Sequence, residues 1–511
     1  MVIALPFSNF GMSVASFWLL GVWFIDQFTS ERKNLRYRWA KAVSSPLFWI
    51  LLAAFFIHVF GLIHTENFKY AFRDLRIKLP LLLFPVVFFT ARPIDGSSMR
   101  RMWLFLVLAC AAAALACLSI PMGIWDRPVY NIRDISVFIS HIRFSMLLVF
   151  ASAVLMLWIS ERRRVWMCIL LLAVNLGFLW VVESITGAVL LVAIVLLYLI
   201  SSEVSILNRK IRLTLRVALP LLLVIGVGWV GALTYDYFHL PEEDLSLLPE
   251  KTAGGELYVH HPENTMRENG EFIWRYIAWS EMANEWNKRS DLAYDGKDER
   301  GQELYGTLVR YLTSKGLRKD AEGVAALTQE DIRNIKRGIP SILELEHSGL
   351  RRRLDKIFFE ISNVQNGGNP GGNSVTQRLE FWKAGMNIIG QRPLFGVGTG
   401  DVQDAFDASY EELRSELDPE YRLRAHNQYM TFWIAFGITG FLLLIILLFI
   451  PVGVVASERG FLFTGFCLIM ALSFLTEDTL ETQAGVTFFA FFASLFSAQR
   501  LAFHSRIRPN T

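Results

Sequence analysis

The residues best suited to chemistry collect at positions 423–429 (LRAHNQY), where a long polar segment meets a hydrophobic run. Imidazole titrates near neutral pH, so a histidine held at such a boundary can serve as a general base. A boundary histidine can equally be an ordinary interfacial residue. His426 is therefore a candidate base if charged partners reach it, and Asn427 beside it is a candidate substrate contact.

Two arginines are candidate partners for an anionic substrate. Arg143 stands in the sequence SHIRFS at the start of an apolar run, and Arg378 lies in the first turns of a helix predicted from Ser374 onward. A guanidinium group can bind a diphosphate through two hydrogen bonds. The alternatives are a lipid head-group contact for Arg143 and a solvent-facing side chain for Arg378.

A third set of cations precedes the apolar run at 80–92. Lys69, Arg73 and Arg76 fall at positions i, i+4 and i+7 of a helical pattern, beside an apolar stripe. The loop at 65–79 is thus expected to form a helix on the outer membrane surface with a cationic face. That face could contact an anionic lipid-linked substrate, snorkel to lipid phosphates, or indicate a misplaced span.

Other polar features carry weaker signals. Glu477, Asp478 and Glu481 are expected to be solvated carboxylates of a turn, with the alternative that they orient His426 or an arginine. The turn at 396–400 (GVGTG) would let backbone approach a ligand closely, but it lacks the rest of a phosphate-loop pattern. No acidic cluster of the DxD kind is evident, so we predict no metal site and no cofactor.

The elements that must position these residues are membrane helices. The chain has 511 residues, of which 53% are hydrophobic, and its mean hydropathy is +0.37. Such a composition excludes an ordinary soluble protein and indicates an integral membrane protein. About eleven apolar runs could span a bilayer. They lie near residues 11–27, 46–64, 80–92, 102–120, 144–160, 165–182, 187–201, 216–234, 429–452, 460–477 and 483–499.

The basic residues predict the orientation of these spans. Alternating them places the clusters at 32–41, 100–101, 162–164 and 209–216, together with the C-terminal tail, on one side, which is therefore expected to be cytoplasmic. Three domains follow: an N-terminal transmembrane bundle at 1–235, an outer loop domain at 236–428, and C-terminal transmembrane helices with a cytoplasmic tail at 429–511. Within the loop domain, residues 366–373 (NGGNPGGN) are expected to form a flexible connector.

Charge and cysteine content exclude two further classes. The formal net charge is only +3, with both signs abundant, so nucleic acid is not an expected partner. All four cysteines lie in apolar runs, which argues against a disulfide framework.

The segment 374–440 resembles the O-antigen ligase and O-antigen polymerase superfamily. The resemblance is carried by Arg378 within TQRLEFW, the GVGTG turn, and HNQY leading into FGITG. It implies an all-α polytopic bundle of the GT-C type, with about 11–12 transmembrane helices and one large, mainly helical periplasmic loop domain in the bacterial inner membrane. Where many members have a Ser-Arg-Gly type sequence, residues 184–187 read SITG, so an anion contact there must come from elsewhere.

The resemblance also implies an activity. The donor would be an undecaprenyl-diphosphate-linked glycan and the acceptor lipid A core or another glycan, with His426 catalytic and Arg143 and Arg378 binding the diphosphate. The cationic face of Lys69, Arg73 and Arg76 could supply the missing anion contact. Direct displacement would invert the anomeric carbon. Alternatives are an O-antigen polymerase, a protein O-oligosaccharyltransferase, or a transporter of lipid-linked glycan, although no internal repeat typical of transporters is found.

Overall fold

The structure is a computed structural model that describes residues 1–129, 132–201, 209–239, 248–347, 349–371, 374–455 and 460–507. It divides into two compact units. The first comprises Met1–Leu219 and Arg378–Thr511, and the second comprises Pro220–Gln377. The second unit thus ends earlier in the chain than the loop domain predicted at 236–428, because the segment from Arg378 onward packs with the apolar helices of the first unit.

The regular structure of the described chain is helical apart from one two-stranded antiparallel sheet. The helices before the second unit are α1 (Asn9–Thr29), α2 (Arg32–Val43), α3 (Pro46–Phe60), α4 (Phe68–Thr90), α5 (Gly96–Leu118), α6 (His141–Ser160), α7 (Val165–Val181) and α8 (Ile185–Ile200). Then come α9 (Arg209–Phe238), α10 (Trp279–Arg289), α11 (Leu304–Ser314), α12 (Ala321–Ala325), α13 (Gln329–Lys336), α14 (Leu343–Glu346) and α15 (Gly349–Gln365). The last five are α16 (Ser374–Gln391), α17 (Val402–Glu412), α18 (Gln428–Val455), α19 (Phe461–Ser473) and α20 (Gln483–Ile507), and the strands are β1 (Arg267–Glu268) and β2 (Glu271–Phe272).

Each of the eleven predicted spans falls on a helix. Within the described residues, five helical stretches are long and apolar enough to cross a bilayer: Pro46–His64, Gly96–Leu118, His141–Ser160, Leu213–Phe238 and Gln428–Phe449. Three shorter apolar helices, α7, α8 and α19, accompany them. The fold is therefore that of an all-α membrane protein, while the count of eleven spans and the GT-C arrangement stay predictions.

The helix α4 corrects the prediction of a separate surface helix at 65–79. It runs without a break from Phe68 to Thr90 and includes Pro80 and Pro85. Proline is tolerated in such helices because neighbouring groups can satisfy the freed carbonyls. The cationic face of Lys69, Arg73 and Arg76 is exposed, as predicted, but the same helix buries Asp74 and Lys78 on its other side.

The glycine turn at 396–400 packs against α18 where that helix is interrupted. Gly437 has φ 64° and ψ −159°, which interrupts the helix and frees the carbonyls one turn earlier. Val397 N–H donates to the Ile434 carbonyl and Gly398 N–H to the Ala435 carbonyl, both at 2.9 Å, while Ile438 N–H donates to the Pro393 carbonyl. Glycine is needed because a Cβ at position 396 would lie 2.5 Å from the Ala435 backbone. The glycine turn therefore has a structural role, because its backbone packs directly against the backbone of α18.

We expect Gly437→Ala to destabilise the protein strongly. A Cβ at this position would lie 2.1 Å from the Leu394 carbonyl oxygen, and the positive φ disfavours any side chain. Strain of this kind costs about 1–3 kcal/mol before the clash is counted. Gly177→Ala in α7 is the matched control, since a Cβ there meets nothing within 4 Å. Thermal unfolding in detergent should show a lower midpoint for the first variant and an unchanged or slightly higher one for the second.

The second unit has its own hydrophobic core. Trp286 of α10, Tyr311 of α11 and Ile335 of α13 are fully buried there. The Tyr311 hydroxyl donates to Asp331 at 2.8 Å, and Lys315 pairs with the same carboxylate at 2.7 Å. The connector predicted at 366–373 follows α15 without regular structure through residue 371, and Gly372 and Asn373 lie outside the described residues, as does Arg508 of the predicted tail.

Candidate active site

The carboxylate of Glu477, in the turn between α19 and α20, joins the three residues that the sequence singled out. Arg378 Nη2 donates to Glu477 Oε1 at 3.0 Å. Arg143 Nη2 lies 3.7 Å from Glu477 Oε2, and His426 Nδ1 lies 3.9 Å from the same oxygen. The Glu477 side chain is only 5% exposed, whereas that of His426 is 36% exposed. One buried carboxylate thus faces two guanidinium groups and an imidazole that solvent can reach.

Four separate elements bring these side chains together. Arg143 is the third residue of α6, Arg378 lies in α16, and His426 stands two residues before α18. The indole N–H of Trp382, one turn after Arg378, donates to the Ala425 carbonyl at 2.9 Å. The Phe381 ring lies 5.7 Å from the His426 ring. Trp382 and Phe381 of α16 therefore fix the histidine relative to Arg378.

Asp478 holds the backbone that carries His426. Its Oδ2 accepts from the His426 N–H at 3.0 Å, and its Oδ1 accepts from the Thr431 hydroxyl at 2.7 Å. His426 has φ 46°, a left-handed conformation that costs energy for a residue with a side chain and persists only when its surroundings enforce it. Burial raises the pKa of Asp478 to about 6. The Asp478 carboxylate therefore holds the backbone from which the imidazole projects.

A second buried cluster anchors the same turn through Glu481. Lys78 Nζ, which is fully buried, lies 2.9 Å from Glu481 Oε2 and 3.3 Å from Asp74, and it donates to the Leu480 carbonyl at 2.6 Å. Arg424 lies 3.6 Å from Glu481, and the buried amide of Gln428 donates to it at 3.1 Å. Burial alone would raise the pKa of Glu481, but Lys78 and Arg424 outweigh it and lower the pKa to about 2. The turn is thus fixed by ionic contacts to α4 and to the start of α18.

We expect Lys78→Met to destabilise the protein by about 3–5 kcal/mol, because it leaves two carboxylates buried without their shared cation. Lys69→Met is the matched control: this lysine lies on the same helix, is exposed, and makes no ion pair with a described residue. Thermal unfolding in detergent measures both variants. A Lys78 variant as stable as the control would contradict the anchoring role.

The prediction that Glu477, Asp478 and Glu481 are solvated is wrong. Glu477 and Asp478 are 4% and 7% exposed, and all three bind groups from distant parts of the chain, as the alternative interpretation held. The sequence feature that could have indicated these contacts is the density of the carboxylates, since three of them stand within five residues between two long apolar runs. Burying charges so close to a membrane is costly unless each is paired.

Two other predicted contacts are placed differently. Lys69, Arg73 and Arg76 are exposed, and within the described residues none of them makes a hydrogen bond or ion pair to the site. Asn427 directly precedes α18: its Oδ1 accepts from Met430 N–H at 3.1 Å and its amide donates to the Leu475 carbonyl at 3.2 Å. The structure therefore gives Asn427 a capping role at this helix end.

At the SITG segment the structure shows a contact between hydroxyl groups. Ser145 of α6 donates to Ser184, which caps α8, at 3.0 Å. Neither Ser184 nor Ser145, which is two residues after Arg143 in α6, carries a positive charge. These two residues therefore supply no cationic contact for an anion.

The environment favours a neutral, proton-accepting imidazole. Burial lowers the pKa of His426, Glu477 opposes that shift, and Arg378 and Arg143 add to it. Burial also raises the pKa of Glu477, against the opposing effects of His426, Arg143 and Arg378. Arg143 Nε is buried without a hydrogen-bond partner among the described residues. The arrangement can accept a proton at one side and bind an anion at the other.

Residues 343–445 match the family model described as "O-Antigen ligase". The matched segment of 103 residues includes Arg378, the glycine turn and His426, so the resemblance seen in the sequence is confirmed there. A comparison with curated proteins found no match. About a fifth of the chain is therefore similar to the O-antigen ligase family.

Proposed function

We propose that the protein is an O-antigen ligase-type glycosyltransferase. It moves a glycan from an undecaprenyl-diphosphate carrier to a sugar hydroxyl, with lipid A core as the expected acceptor, at the periplasmic face of the inner membrane. The observation that carries this proposal is the convergence of His426, Arg143 and Arg378 on Glu477, within 3.0–3.9 Å of its carboxylate.

The two arginines stabilise the negative charge of the leaving diphosphate. Arg143 and Arg378 together carry two positive charges against the single carboxylate of Glu477, so the group still attracts an anion. Among the described residues, Glu477 accepts one hydrogen bond from Arg378 and none from Arg143, so most N–H donors of the two arginines are uncommitted there. Guanidinium groups bind phosphate oxygens in pairs and stabilise the charge that develops as the diphosphate leaves.

Proton removal falls to His426. With Nδ1 directed toward Glu477, Nε2 remains to accept the proton of the acceptor hydroxyl. The acceptor oxygen then bonds to the anomeric carbon, the bond from that carbon to the phosphate oxygen breaks, and the diphosphate leaves with the electron pair. The reaction inverts the anomeric carbon. The turn carboxylates are already paired with Arg378, Thr431, Lys78 and Arg424, which supports a metal-independent mechanism.

The pH dependence follows from the lowered pKa of His426. Only the neutral imidazole can act as a base, so the transfer rate should be flat near pH 7 and fall on an acid limb below pH about 6.5. Glu477→Gln removes the charge that raises the pKa of His426, so the limb should move to lower pH while the plateau falls. Asp478 also titrates near pH 6, and Asp478→Asn removes its contribution from the profile. An acid limb at the wild-type pH in both variants would contradict the assignment of His426 as the base.

A reconstituted reaction tests the proposed function. The purified protein in proteoliposomes is given undecaprenyl-diphosphate-linked glycan and lipid A core, with and without a divalent-cation chelator. We expect glycan on the lipid A core in both conditions. Product appearing only as a longer glycan on the carrier would indicate a polymerase instead, and activity only after adding divalent cation would contradict the metal-independent mechanism.

A further inference from the structure

A cationic cavity of about 640 Å³ lies away from the His426 site. Arg100 and Arg101 of α5 line one side, and Arg163 and Arg164 of the turn between α6 and α7 line another. No carboxylate is among its lining residues, so far as the structure describes the chain. Its volume is within the range of ligand-binding cavities, about 300–1,000 Å³.

The cavity and the candidate active site lie at opposite ends of α6. Arg143 is near the first residue of this helix, and Trp158, which lines the cavity, is near its last. Fifteen residues of helix at about 1.5 Å each separate them by roughly 22 Å. Because α6 is long and apolar enough to cross a bilayer, the cavity opens at the other membrane face, the one we predict to be cytoplasmic.

The positive charge of the cavity is poorly neutralised. Arg163 pairs with Glu161 at 2.7 Å, and Arg101 donates to the Ser98 hydroxyl at 3.0 Å. In the described chain, Arg100 and Arg164 make no ion pair. The nearby carboxylate of Asp95 is occupied in capping α5. Two guanidinium groups are therefore available to an anion.

The rest of the cavity wall is apolar, and this favours a lipid over a free anion as the ligand. Leu104, Trp158 and Met167 line the cavity beside the arginines. A soluble phosphate gains nothing from these side chains, whereas the glycerol and first acyl carbons of a phospholipid bury apolar surface against them. The first turn of α7 has no side-chain cap, so its N–H groups add to the attraction for a phosphate.

We propose that this cavity binds the head group of an anionic phospholipid in the leaflet opposite the candidate active site. The phosphate contacts Arg100 and Arg164, and the upper acyl chain packs against Leu104 and Met167. This site does not depend on the proposed transfer reaction. It would make the stability of the membrane domain depend on the anionic lipid content of that leaflet.

Native mass spectrometry of the full-length protein in mixed micelles tests this site with dioleoylphosphatidylglycerol and dioleoylphosphatidylcholine as probes. We expect the phosphatidylglycerol to bind more tightly. The double variant Arg100→Gln/Arg164→Gln should raise its dissociation constant about tenfold or more. Arg32→Gln/Arg36→Gln removes the same charge from exposed positions of α2 and should change it by less than about threefold.

Three outcomes would overturn the proposal. Equal affinity for the two lipids would show that charge is not recognised. Equal losses in the two double variants would show general attraction to a basic surface. Displacement of the phosphatidylglycerol by millimolar inorganic phosphate would indicate a small-anion site. Unfolding midpoints of both variants in phosphatidylcholine are expected to match that of the wild type, which shows that the cavity variant is folded.

Discussion

His426→Ala is expected to reduce glycan transfer by about 10²- to 10⁴-fold while the protein stays inserted and folded. The side chain makes no hydrogen bond that holds the described structure together, because it is the backbone N–H of His426 that binds Asp478. Removing the imidazole therefore deletes the proton acceptor and leaves the turn in place. The rate is measured with purified protein, lipid-linked glycan and acceptor at saturating concentrations.

His64→Ala is the matched control for this variant. His64 is exposed and its ring contacts Phe395, without reaching the Glu477 carboxylate. We expect it to transfer glycan at the wild-type rate. Normal transfer by His426→Ala, or an equal loss in both variants, would remove the assignment of His426 as the base.

Arg378→Lys should lower the catalytic efficiency by about 10²- to 10³-fold although the charge is kept. Lysine can replace the single contact with Glu477, but it cannot present two parallel N–H groups to a diphosphate. Because the contact strengthens as charge develops on the leaving group, the loss should be mainly in kcat. Steady-state kinetics with varied donor concentration separates kcat from KM.

Arg392→Lys is the matched control, since Arg392 follows the same helix α16, is exposed, and forms no ion pair with a described residue. It should behave as the wild type. If Arg378→Lys retained full kcat, Arg378 would act only as a structural partner of Glu477 or as a general positive charge. Arg143→Lys distinguishes these cases, because a bidentate site should be impaired by either replacement.

The helices could be predicted from the sequence, and the pairing of their charges could not. All eleven apolar runs fall on helices, and α16 begins at Ser374, as predicted. These features depend on local periodicity. The ionic contacts of Glu477 join residues 99 positions apart in the case of Arg378, and no local pattern specifies such a pair.

The errors have the same origin. The segment at 65–79 was expected to lie separately on the membrane surface, although the spacing of four between Asp74 and Lys78 allowed an ion pair on the buried side of a helix. The carboxylates at 477–481 were expected to be solvated because a turn is usually exposed. The capping of α18 by Asn427 could not be predicted, since it depends on where the helix begins, and its contact with substrate stays a prediction.

The position of the bound donor diphosphate is the most direct test of the proposed mechanism. A cryo-EM structure of the protein in nanodiscs with a non-transferable undecaprenyl-diphosphate glycan measures this. We predict that the diphosphate lies within hydrogen-bonding distance of both Arg143 and Arg378, with the anomeric carbon facing His426 Nε2. A diphosphate bound elsewhere, such as on the exposed face of Lys69, Arg73 and Arg76, with the two arginines directed away from it, would contradict the proposed mechanism.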